Sequence, residues 1–141
     1  MSMHLNIFIL FCMLSISYSM MTGGWTPVSD DNPDAHEHAK FAARKISAST
    51  NNLYHMKVTN VSNIRRQVVS GLNYKMTITL APTECKKNQN VSRDEIENCP
   101  LLLCKAPLSC NVNLWVQAWL KEDGTKLTKS TCTPLPVDSN C

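Results

Sequence analysis
The apolar residues change their period along the chain. Ala35, Ala39, Ala42, Ala43 and Ile46 recur three and four apart, the spacing of one face of a helix. Asn32-Pro33 stands just before them and reads as a helix start: Asn caps free amides, Pro is preset for the first helical position, and Asp34 and Glu37 suit the positive end of the dipole. The run Ser49-Thr50-Asn51-Asn52 breaks the pattern, so one amphipathic helix of about four turns is predicted. Beyond it the period falls to two. Leu72, Tyr74, Met76, Ile78 and Leu80 alternate with Asn73, Lys75, Thr77 and Thr79, a strand with one buried face. Val112, Leu114, Val116, Ala118 and Leu120 form a second such row, with Asn113, Trp115, Gln117 and Trp119 on its other side. Weaker extended runs surround Met56 to Arg66 and Lys126 to Thr133. One helix followed by about four strands predicts an α+β fold with the helix packed across an antiparallel sheet, because each amphipathic face then buries the other.

The N-terminus reads as an address. Leu5 to Ile16 is uncharged and mostly apolar, with small residues at Ser17 and Ser19, so residues 1–19 are expected to be a signal peptide cleaved after Ser19. The run is well short of the roughly 20 apolar residues a membrane span needs, and secretion to the extracellular space is the expectation. Residues 20–141 then form one domain, in which residues 20–31, with Gly23-Gly24, Pro27 and no period, read as a flexible, exposed leader.

Composition adds three constraints. A chain of 141 residues with 18% charged residues and four Gly suits a single packed domain rather than a disordered or fibrous one. The net charge of +3 comes from scattered Lys and Arg, too weak a field to imply nucleic acid or an anionic membrane as the main partner. Of seven cysteines, Cys12 leaves with the signal peptide and six remain, all after residue 84. An even set in an oxidising compartment predicts disulfides. Zinc fits poorly, since no C-x-x-C pair occurs and His36, His38 and His55 lie far upstream; no metal or other cofactor is expected. Cys85 to Cys99 encloses a polar, irregular segment that burial could not hold. Asn60-Val61-Ser62 and Asn90-Val91-Ser92 make Asn60 and Asn90 candidate N-glycosylation sites.

Two features fit the core pattern uneasily. Gln67-Val68-Val69-Ser70-Gly71 lies between the strand ending near Arg66 and the one starting at Leu72. Turn tips favour Gly, Asn, Asp and Pro, so exposed valines there cost solvation unless a partner covers them. By pattern alone Val68 and Val69 serve either as core or as contact residues. Trp119 poses the same choice, as a capped sheet edge or an exposed anchor. Catalysis has little support: His36 and His38, two apart on a helix, lie on different faces, and no nucleophile or second acid is evident beside them.

Together these residues resemble the type 2 cystatins, secreted inhibitors of papain-like cysteine proteases. Gln67-Val68-Val69-Ser70-Gly71 is similar to the family's Gln-x-Val-x-Gly motif, Gly23-Gly24 falls where its inhibitory glycine is expected, and Trp119 falls where the Trp of its Pro-Trp loop is expected. Tyr54-His55, Asn73-Tyr74, Asn98-Cys99-Pro100 and Lys129-Ser130-Thr131-Cys132 follow the pattern too. The resemblance spans residues 22 to 133 and implies one long helix across a twisted antiparallel sheet of four to five strands, stapled by disulfides. It further implies a monomer that inhibits papain-like proteases, cathepsins among them, reversibly and without itself being an enzyme. The leader around Gly23 and Gly24, the hairpin Gln67 to Gly71 and the Trp119 loop would enter the protease cleft, which moves Val68, Val69 and Trp119 from core to contact residues. Cys85–Cys99 and Cys110–Cys132 are the implied bridges, the first closing a loop worth about 3 kcal/mol. Cys104 and Cys141 have no counterparts in the family pattern: they pair with each other, or remain free or intermolecular. Ala118 replaces the family's Pro before the loop Trp, which removes a ring that stiffens the turn. Some type 2 cystatins inhibit legumain through an Asn after the helix, and Asn51 occupies that place here. The alternative is a secreted module of this fold that binds without inhibiting. Strand exchange through the first hairpin would make a dimer.

Overall fold
The computed structural model describes residues 23–141 of the chain; the expected signal peptide, residues 1–19, lies outside the described residues. The elements follow the order β1 (Thr26–Pro27), α1 (Pro33–Ser49), β2 (Tyr54–Val69), β3 (Gly71–Lys86), α2 (Arg93–Asn98), β4 (Leu108–Val116) and β5 (Thr125–Pro134). The five strands form one antiparallel sheet in the order β1-β2-β3-β4-β5, and α1 lies across it.

The start and end of α1 are both satisfied locally. The Asn32 side chain accepts from the Ala35 amide at 3.0 Å, and Pro33 and Asp34 occupy the first turn. At the other end Lys87 reaches across from beyond β3, where its Nζ donates to the Ser47 carbonyl and, at 2.9 Å, to the Thr50 carbonyl. A cation thus meets the helix's negative end and two of its last carbonyls. Ala35, Ala39, Ala42 and Ala43 are buried with Ile46, and their small side chains let the helix axis approach the sheet closely. The sheet supplies Met56, Val61 and Ile64 from β2, Tyr74, Met76, Ile78 and Leu80 from β3, and Val112 and Leu114 from β4.

Sequence expectation and structure part in three places. Two residues of the leader form a short edge strand, Thr26 pairing with Arg66 and Pro27 with Arg65, and the Val28 amide donates to the Ile64 carbonyl at 3.0 Å. Such pairing uses backbone groups, which side-chain periodicity does not report. The strand expected through Leu120 ends at Val116, and Ala118, Trp119 and Leu120 are exposed in the loop that follows. The Cys85 to Cys99 segment, expected to be irregular, contains α2 with a capping box. There the Glu95 amide donates to Ser92 Oγ at 3.3 Å and the Ser92 amide to the Glu95 carboxylate at 2.6 Å.

All six cysteines of the domain are bridged: Cys85–Cys99, Cys110–Cys132 and Cys104–Cys141. Cys110 and Cys132 face each other across β4 and β5. The open question of Cys104 and Cys141 resolves to a third bridge, which ties the C-terminus to the stretch before β4.

Candidate functional site
The residues singled out by sequence come from three separate stretches and meet at one end of the sheet. β2 runs through most of the hairpin motif, so Gln67 pairs with Asn73, Val68 with Leu72 and Val69 with Gly71. Only Ser70 is left to turn the chain, which is tighter than the five-residue turn expected from the sequence. The turn closes because Gly71 has φ of 90°, a left-handed conformation that L side chains rarely adopt. A methyl group there would also collide with the Val116 carbonyl oxygen and stand 3.3 Å from both Trp115 Nε1 and Trp119 Cη2. The hairpin tip and the loop after β4 therefore meet over a residue without a side chain.

The leader joins them from the other side. The Gly23 amide donates to the Val68 carbonyl at 2.9 Å, and an added methyl at Gly23 would touch the Val68 backbone and Cβ at 3.5 to 3.7 Å. Around Gly24 the space within 4 Å is open. In lateral order the edge reads leader, hairpin, Trp loop. Val68 is 59% exposed and Trp119 57% exposed, large apolar side chains standing in water at neighbouring points. Ser70 is exposed, while Gln67 and Val69 are half-buried; Gln67 Oε1 accepts weakly from Asn73 Nδ2 at 3.4 Å.

Trp115 was missed as a site residue. Its indole N–H donates to the Ser70 carbonyl at 2.7 Å, so β4 holds the one residue that turns the hairpin. The alternation of β4 places Trp115 on the face away from the helix, and only the register of β3 with β4, which sets it beside Asn73, brings it to the tip. A second closure shapes the Trp loop: the Gln117 amide donates to the Gly124 carbonyl at 2.6 Å and the Leu120 amide to the Gln117 carbonyl at 3.1 Å.

Asn51 stands elsewhere. It is exposed beyond the C-terminus of α1, where β2 begins, so the length of β2 separates it from the hairpin. The histidines do not converge. His38 packs on the Tyr74 ring with centroids 4.9 Å apart, and burial holds its imidazole below its ordinary range despite Asp34 and Glu37 nearby. His55 is also lowered, by burial and then by Lys87. Among the described residues, no group of three His, Cys, Asp or Glu could hold a metal ion, and no helix is long and apolar enough to cross a membrane.

Comparisons with known proteins show the family and the fold. The family model described as Cystatin domain matches residues 23–129. The chain is 37% identical to cystatin-1 of Chilobrachys guangxiensis over 124 residues, covering 88% of this chain and 90% of that protein. It is 34% identical to L-cystatin of Tachypleus tridentatus, covering 88% and 91%. Among solved structures, dimeric human cystatin F superposes with a TM-score of 0.75 at 23% identity, covering 89% of this chain and 98% of that one. A salivary cystatin of the soft tick Ornithodoros moubata gives 0.63 at 26%, covering 79% and 97%. The chain belongs to the cystatin family, a family of cysteine-protease inhibitors and not of enzymes.

Proposed function
We propose that this protein is a secreted, reversible, tight-binding inhibitor of papain-like cysteine proteases such as cathepsins, and that it binds through the end of the sheet where leader, hairpin and Trp loop meet. The observation that carries this reading is the convergence of Gly23, Val68 and Trp119, bridged by the Gly23 to Val68 hydrogen bond and by the Trp119 ring beside Gly71. An exposed valine and tryptophan at one narrow end cost solvation in the free protein and repay it when a cleft desolvates them. The hydrogen bond from Trp115 to Ser70 keeps the hairpin in one shape, so little conformational entropy remains to be lost on docking.

Each element has a distinct role in that complex. Val68, Val69 and Trp119 supply apolar contact, with Gln67 and Ser70 flanking them. Gly71 lets the backbone turn against the enzyme wall. The leader leaves along the cleft from Gly23 and Gly24, so that the residues before them occupy substrate subsites. No bond of the inhibitor needs to be cut. Nanomolar affinity corresponds to about 12 kcal/mol, of which two or three anchors of about 2 kcal/mol each form a deciding share. Ala118 in place of proline leaves the Trp loop less stiff and lowers the share of that element.

Titration of papain and a cathepsin panel with residues 20–141 tests the reading; failure to inhibit any of them at about micromolar inhibitor would leave the non-inhibitory binding module. Asn51 supports a second activity, inhibition of legumain. It is exposed and far from the hairpin, so one molecule could hold both enzymes at once. Asn51→Ala should remove legumain inhibition alone, and unchanged legumain inhibition would reject that site. Secretion as a monomer, with glycans on the exposed Asn60 and Asn90, completes the proposal; mass spectrometry of the secreted protein reads cleavage after Ser19 and both sequons.

A further inference from the structure
The modest net charge of +3 conceals a separation. Within the five strands stand seven basic side chains and a single acidic one, Glu84, whereas the helices and loops carry seven basic and ten acidic ones. The sheet is a cationic plate, and the rest of the molecule is mildly anionic.

Register concentrates the charge further. Arg65, Lys75, Asn113 and Lys129 are successive partners across β2, β3, β4 and β5. Directly paired residues share a face, and Lys75 alternates with the buried Tyr74 and Met76, so this row lies on the side turned away from α1. With strands about 4.8 Å apart, the row is roughly 14 Å long. Lys126 stands in the next row, paired with Trp115. Arg65, Lys75, Lys126 and Lys129 are all exposed, and among the described residues the one ion pair is Lys40–Glu37, so none of the four is neutralised by a carboxylate. The neighbouring row carries hydroxyls and an amide: Thr77, Asn111 and Thr131, in register, with Thr77 donating to Asn111 at 2.9 Å.

We propose that this outer face of the sheet is a docking surface for a sulfated polysaccharide. Cations in a line, with no acid among them, complement a linear polyanion, and the adjoining hydroxyl and amide rows suit sugar hydroxyls. Single-stranded nucleic acid fits less well, because it stacks bases on free aromatic faces. Here Lys75 Nζ lies over the Trp25 ring at 4.2 Å and Lys126 Nζ over the Trp115 ring at 5.7 Å. A lipid surface also fits less well, since the one large apolar side chain exposed within the strands is Val68, which pairs with Leu72 on the opposite face.

Heparin fragments titrated into the secreted protein provide the test, alongside N- and O-desulfated heparin. Binding should be lost on desulfation and should weaken at least tenfold between about 0.1 and 0.5 M NaCl as the Debye length shrinks. The triple variant Arg65→Ser/Lys75→Ser/Lys129→Ser should weaken binding by about tenfold or more, whereas Lys45→Ser/Lys105→Ser/Lys121→Ser, which removes equal charge elsewhere, should change it less than about threefold. In the unsubstituted protein, amide NMR shifts on adding heparin should cluster on Arg65, Lys75, Asn113 and Lys129. Equal losses in both triple variants, shifts clustered off this face, or equal affinity for an oligonucleotide or anionic vesicles of matched charge would overturn the assignment. Val68→Asp should leave heparin binding intact, which keeps this surface separate from the proposed protease edge.

Discussion
The two ends of the sheet are held by different means. At the end where β3 finishes, Cys85–Cys99 closes the α2 loop, Cys104–Cys141 fastens the C-terminus, and Lys87 locks the helix terminus. At the end where β2 turns into β3, the chain has no covalent staple and is held by single hydrogen bonds, Gly23 to Val68 and Trp115 to Ser70. Both ends leave apolar side chains in water, Leu53, Leu101 and Leu103 at the bridged end and Val68 and Trp119 at the other. Leu101 and Leu103 sit on a segment fastened covalently at Cys99 and Cys104, whereas Val68 and Trp119 stand on a hairpin and a loop held by hydrogen bonds. Covalent constraint at one end supplies stability, and in the proposed function the other end is where side chains serve a partner rather than the fold.

Substitutions should separate these two roles. The largest effect is expected where they coincide: Gly71→Ala forces a side chain into a left-handed φ and against Val116, and should cost more than about 3 kcal/mol in protease affinity together with a fall in melting temperature. Removing the bridge with Cys85→Ser/Cys99→Ser should cost about 3 kcal/mol of stability by denaturant titration and leave the inhibition constant within about threefold once the protein is folded. Trp119→Ala should do the reverse, weakening protease binding by about 2 kcal/mol with melting temperature nearly unchanged; a large fall in melting temperature would make it a packing residue. Trp115→Phe keeps the ring but removes the donor to Ser70, and should raise the dissociation rate by about fivefold through a looser hairpin. The smallest effect concerns pH. The folded pKa of His38 is depressed by burial, so its contribution to stability is present above the unfolded value and is lost as pH falls below about 6.5. The melting temperature should therefore drop a few degrees more between pH 7.5 and 5 in the native protein than in His38→Gln.

How much of this was legible in the sequence depended on whether each strand kept its phase. β3 is regular from Leu72 to Leu80, and its buried residues were readable at once. β2 is just as long, yet its buried residues Met56, Val61 and Ile64 are out of step with a period of two. Register shifts between Val58 and Asn60 and between Ser62 and Arg65, the second at the positive φ of Asn63, each reset which face a side chain takes. That irregularity made β2 look like a weak extended run. β4 failed in the opposite sense, since alternation continued on paper through Leu120 although pairing stops at Val116. At the candidate site, pattern alone left Val68 and Trp119 open between core and contact, and the family resemblance turned them to contact; both are exposed in the structure. Trp115 was missed, because its role rests on a hydrogen bond to Ser70, 45 residues away, that only the strand register creates.

The most direct test of the central claim is an active-site titration of papain with the native protein and with Trp119→Ala, followed by mass spectrometry of the recovered inhibitor. The account predicts reversible inhibition by intact, uncleaved protein, weakened by about 2 kcal/mol in the variant at unchanged melting temperature. Inhibition that is indifferent to Trp119, or absent at about micromolar protein, would contradict it.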